Sequence, residues 1–96
     1  MQRRTVRFAY EDGFISLEYD PEHAAGEAKQ IAAVLDNSVF ESLGVVCRWL
    51  VGCLVSWSRT TDGIAVPITV EVLQGLPVRL VALLGKTVVD DLAALP

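Results

Sequence analysis

Strict alternation opens the chain. Val6, Phe8 and Tyr10 are separated by Arg7 and Ala9, and Ile15, Leu17 and Tyr19 by Ser16 and Glu18. A period of two puts each trio on one face of a strand, so residues 5–19 are predicted to form a β-hairpin. Between the two runs stands Glu11-Asp12-Gly13, in which Gly13 suits the positive-φ position of a three-residue loop. A lone hairpin is marginal in water, so its apolar face is expected to lie on helices or on another subunit's sheet.

The period then changes to that of a helix. Asp20-Pro21-Glu22 is a start signal: Asp caps, Pro fits the first helical position and Glu suits the positive dipole end. A helix over 21–35 places Ala24, Ala28, Ile31 and Leu35 on one narrow stripe, with Glu22, Lys29 and Gln30 facing away. Asp36-Asn37 breaks it. Ser38 and Glu41 then form a capping box that opens a second helix, predicted over 38–57. Thirteen of those twenty residues are apolar, and the polar face shrinks to Glu41, Gly44, Arg48, Gly52 and Ser56. This helix is expected to be central. Residues 58–67 read as a loop with an Asp62-Gly63 turn, and Thr69 caps a short helix over 69–75 that Gly75 ends. Pro77 opens a last helix over 77–95 whose apolar arc holds Val78, Leu80, Val81, Leu84, Val88, Val89, Leu92 and Leu95, opposite Arg79, Lys86 and Asp90. That arc covers about half the circumference, wider than one packing partner needs.

The elements imply an α+β fold, mainly α: an N-terminal hairpin followed by three to four helices in a small helical domain. The length, 96 residues, suits one domain, 1–96, with no internal repeat or linker. Arg48 in the middle of the 38–57 run argues against a membrane span. The first fifteen residues are charged and alternating, so no secretory leader is expected there.

Composition sharpens the reading. The apolar fraction is 52% and the mean hydropathy +0.42, which excludes a disordered acidic tail. A domain of this size buries only about 60–65% of its unfolded surface. The apolar excess is therefore expected to meet another chain, a copy of itself or a client. The net charge is −4, which does not suit a nucleic-acid binder. The one basic cluster, Arg3, Arg4 and Arg7, reads as a solvated strand face.

Candidate chemistry is sparse. His23 is the single histidine and is expected to be exposed, with no nucleophile beside it by local spacing. Cys47 and Cys53 lie about 240° apart around one helix, too divergent for a shared metal or disulfide, and read as small buried hydrophobes. Asp90 and Asp91 diverge around their helix and form no carboxylate dyad. Gly44 and Gly52 flank Arg48 on the thin face and read as sites of close approach by another helix, with Arg48 needing a carboxylate or water. No enzyme, cofactor, metal or small-molecule substrate is expected.

Trp57-Ser58-Arg59-Thr60-Thr61-Asp62-Gly63-Ile64-Ala65-Val66-Pro67-Ile68-Thr69 is followed by Leu73, Leu76-Pro77, Leu80 and Leu83-Leu84. Together with Tyr19-Asp20-Pro21, this stretch resembles the small tail assembly chaperones of long-tailed bacteriophages of the siphophage type. Within the resemblance Trp57, Asp62, Gly63, Pro67, Thr69 and Pro77 would be structural motif residues, while Ser58 stands where that family usually has Asp. The resemblance implies a non-enzymatic protein of the host cytoplasm that binds the long helical tape-measure protein and keeps it soluble during tail-tube assembly.

The width of the last helix's arc places the expected client surface at Val78, Val81, Leu84, Val88 and Leu92. Self-association is expected as well, with no nucleic acid and no membrane. The rival readings are a self-assembling structural or adaptor module of a phage particle, and an acidic, antitoxin-like neutraliser of a basic partner.

Overall fold

The computed structural model describes residues 2–37, 43–61 and 63–95. Its first element is the hairpin, β1 (Arg4–Tyr10) and β2 (Gly13–Tyr19), paired antiparallel from Arg4↔Tyr19 to Tyr10↔Gly13. That register leaves a loop of two residues, not three. Glu11 takes the left-handed conformation, at φ 54°, and Gly13 begins β2 as its first paired residue. The alternation is realised: Ile15, Leu17 and Tyr19 are buried, and Val6, Phe8 and Tyr10 are half-buried on the same face.

The predicted 21–35 helix is divided. Asp20 accepts hydrogen bonds from the Glu22 and His23 amides and caps α1 (Pro21–Ala25); Gly26 and Glu27 then turn before α2 (Ala28–Asn37). Glycine weakens a helix interior by about 1 kcal/mol, which makes Gly26 the point where it interrupts. The expected stripe survives the break, with Ala24 and Ile31 fully buried.

The larger correction falls on 38–57. The capping box Ser38-Glu41 lies outside the described residues. The helix there, α3 (Leu43–Cys53), stops at Cys53, and Leu54–Trp57 form β3. This third strand pairs antiparallel with β2, giving the order β1-β2-β3, and a register shift between Glu18 and Tyr19 accommodates Val55 as a bulge. The Asp20 amide donates to the Cys53 carbonyl (2.8 Å), joining the exit of the hairpin to the exit of α3.

The 58–67 loop contains a miniature hairpin, β4 (Thr60–Thr61) with β5 (Ile64–Ala65), turned by Gly63 at φ 80°. Here a positive φ requires the glycine. Thr69 caps α4 (Val70–Gln74) by accepting from the Val72 amide (3.2 Å). Pro77 precedes α5 (Val78–Ala93).

The result is an α+β fold with one continuous apolar cluster drawn from the inner face of the sheet and from every helix but α2's outer turns. Helix α5 packs on β1, α2 and α3 at once, which is why its arc is so wide. It runs antiparallel to β1: Arg79 lies over the Tyr10 ring (5.9 Å), and Asp91 holds Arg4 at the other end. Among the described residues no helix is long and apolar enough to cross a membrane.

Candidate functional site

The expected client surface is the core. Val81, Leu84 and Val88 have no exposed surface, and Val78 and Leu92 are half-buried. The centre of their arc is filled by the chain's own sheet and helices, so Val81, Leu84 and Val88 present no face to a partner. The excess width of the arc reflected three neighbours within one chain, a number that periodicity alone does not reveal.

One accessible apolar surface lies beside that arc. A groove of about 500 Å³ runs between α1–α2 and the end of α5, walled by Ala25, Ala28 and Ala32 on one side and Val89, Leu92 and Ala93 on the other. A neighbouring depression of about 280 Å³ shares Ala32 and Val89 and extends the groove towards Asp36, Lys86 and Asp90. Leu92 is the one predicted client residue on its wall. Small side chains keep the floor low, and Lys29 and Lys86 with Asp36 and Asp90 put both signs of charge around it. The signal available in the chain was the run of alanines at 25, 28 and 32, spaced three and four apart on one face of the predicted 21–35 helix.

The nearest neighbours of Gly44 and Gly52 are side chains, and only Gly52 is tightly approached. A Cβ on Gly44 would meet Arg48 and Gln74 side chains at 3.6 and 3.7 Å; one on Gly52 would meet the His23 imidazole, whose Nε2 stands 2.6 Å away. His23 is exposed and lies over Gly52, and Arg48 is exposed to water. His23, Glu27, Arg48 and Trp49 thus share a polar hollow of about 310 Å³, and Trp49 Nε1–H donates to the Ala24 carbonyl (3.1 Å). Gly85, buried on α5, is close-packed against apolar groups as well: a Cβ there would sit 3.4 Å from both Leu35 methyls and from Val46.

The motif residues serve the 58–77 segment. Trp57 Nε1–H donates to the Val66 carbonyl (2.7 Å), and the Val66 amide donates to the Arg59 carbonyl (3.0 Å). Gly63 turns the miniature hairpin, Thr69 caps α4, Pro67 is exposed between them, and Pro77 leads into α5. Asp62 lies outside the described residues.

Asp91 is the polar centre that sequence reasoning missed. It accepts from Arg4 through Nε (2.5 Å) and Nη2 (3.1 Å), and from the Tyr19 hydroxyl. The Arg4 guanidinium, then the Tyr19 hydroxyl, hold the Asp91 carboxyl below its ordinary range against the opposing effect of burial. Burial, and then donation to Asp91, push the Tyr19 phenol up. Arg4 therefore belongs to the inner face, while Arg7 lies over the Phe14 ring (4.8 Å) on the outer one.

Cys47 and Cys53 are free and buried, and burial raises both thiols, Cys53 to about 12. Neither is poised as a nucleophile. Among the described residues no three His, Cys, Asp or Glu side chains gather in a way that could hold a metal ion. No family model, curated protein or solved structure matches the chain.

Proposed function

We propose that this chain is a tail assembly chaperone of the long-tailed phage type, which holds an amphipathic helix of the tape-measure protein and keeps that protein soluble in the host cytoplasm. The observation that carries the reading is the alanine-floored groove between α1–α2 and α5. Small residues let a helix backbone approach closely, and an apolar trough with mixed charge at its rim suits a helix with one apolar face. The motifs between Trp49 and Leu84, and the sparse chemistry of the exposed side chains, support a binding role over catalysis.

A second reading, a self-assembling structural module, is favoured by one observation: β1 is a seven-residue sheet edge with exposed side chains at Thr5, Arg7 and Ala9. Co-expression with a candidate tape-measure protein, a long helical chain, separates the two. A chaperone renders that protein soluble and elutes with it. If the long protein stays insoluble while this chain runs alone as a fixed oligomer, the structural reading replaces the first.

A further inference from the structure

The sheet has one long edge with defined chemistry. Ser16 turns both backbone groups towards the third strand's side: its carbonyl accepts from the Ser58 amide (2.9 Å) and its amide donates to Ser58 Oγ (3.0 Å). Ser16 is opposite Arg7 in the β1–β2 register, so this is a pair whose backbone groups point away from each other. By the same alternation Thr5, Arg7 and Ala9 direct their N–H and C=O groups outward, away from β2. Their side chains are exposed, and α5 packs on the opposite, inner face through Arg4 and Tyr10. The edge is straight through seven residues, without proline or bulge, the features that usually block strand addition.

The charge along this edge has a direction. Arg3 and Arg4 stand at its start, and Glu11 and Asp12 follow its end. Such an edge complements itself when reversed. The half-buried state of Val6, Phe8 and Tyr10, against the full burial of Ile15, Leu17 and Tyr19 on the strand beside them, also marks β1 as the incompletely covered side of the sheet.

We infer that β1 pairs antiparallel with β1 of a second copy of this chain, joining two three-stranded sheets into one of six. A two-fold axis at Phe8 sets Phe8 against Phe8, Val6 against Tyr10 and Arg7 against Ala9. It brings the Arg3–Arg4 end of each strand to the Glu11–Asp12 end of the other. An axis at Arg7 would oppose two guanidiniums directly, which is destabilising, so the Phe8 register is preferred. The contact is isologous and closes on itself, and it uses neither the groove nor the client reading.

Sedimentation equilibrium over a concentration series tests it. The wild-type chain is expected to form dimers whose fraction rises with concentration. Ala9→Pro removes an outward N–H and leaves the β1–β2 ladder whole, so it should raise the dissociation constant at least ~10-fold with unchanged circular dichroism. Thr5→Pro does the same at the other end of the edge. Arg3→Glu should weaken the dimer several-fold, and adding Glu11→Lys should restore it, a readout that needs no proline to be tolerated. A chain that stays monomeric at every concentration overturns the inference. So does an oligomer that the proline variants leave intact, or an Arg3→Glu defect that Glu11→Lys fails to rescue.

Discussion

Asp91 joins the two ends of the fold, since Arg4 opens the sheet and Asp91 stands in the last turn of the last helix. Its neighbour Asp90 is exposed, as a solvated pair would be, but adjacent helical residues point about 100° apart, so one aspartate can face water while the other faces the sheet. Tyr19 is fully buried, and its hydroxyl donates to Asp91. Asp91→Ala is therefore expected to destabilise the protein by about 1–3 kcal/mol, chiefly by leaving that hydroxyl without an acceptor. The Arg4 side chain is 41% exposed, so its guanidinium returns to water and adds little. The carboxyl titrates lower when folded than when unfolded. Its contribution is thus fully present above the ordinary carboxylate range and is lost as the pH falls through the lowered value. Urea unfolding at stepped pH should show wild type and Asp91→Ala well separated at neutral pH and drawing together in acid. Curves that stay parallel into strong acid would assign the loss to packing and not to the carboxylate.

At the scale of elements, what was legible in the chain is what local chemistry decides. Asp20 and Thr69 cap because their side chains reach amides two or three residues away, and both caps form as read. The hairpin's faces follow from period two. Leu54–Trp57 was not legible: it follows α3 without an intervening residue, the apolar run continues across the boundary, and pairing with β2, nearly forty residues earlier, makes it a strand. The glycines show the same limit. Of the two glycines that flank Arg48, Gly52 is closely approached, by the His23 side chain of α1, and Gly44 is not, whereas Gly85, set among apolar residues, carried no such signal and yet touches α2 and α3. A Cβ at Gly44 finds only ordinary contacts, so Gly44→Ala is expected to raise stability by up to about 1 kcal/mol through helix propensity. Gly85→Val must push its branches into Leu35 and Val46 and is expected to lose about 1–3 kcal/mol. Thermal melts of the two variants check both signs. A stabilising Gly85→Val would mean that α5 can shift away from α2 without loss.

For the whole molecule, the question is where an apolar fraction of 52% goes in a chain of 96 residues. The broad arc of α5 answers most of it internally; of what remains outside, one part lines the α1–α2/α5 groove, and the most exposed large apolar side chains, Phe14, Val45, Val55 and Ile64, lie elsewhere. The apolar excess was legible in the composition; its location was not, because Val81 and Val89 both belong to the apolar arc of α5, yet Val81 is fully buried and Val89 reaches the groove wall. Two substitutions separate core from groove. Val81→Asp places a charge where no surface is exposed and is expected to unfold the chain, since an unpaired buried carboxylate is far costlier than its exposed counterpart. Ala28→Glu sets the same charge type on the groove wall in the first turn of α2, where the helix dipole favours it, so folding should persist. Circular dichroism reads the fold, and co-purification with a candidate tape-measure protein tests the proposed client site in the groove. A folded Ala28→Glu variant that no longer retains that protein places the client in the groove. One that retains it fully would move the binding surface elsewhere on the molecule, with the β1 edge as the next face to probe.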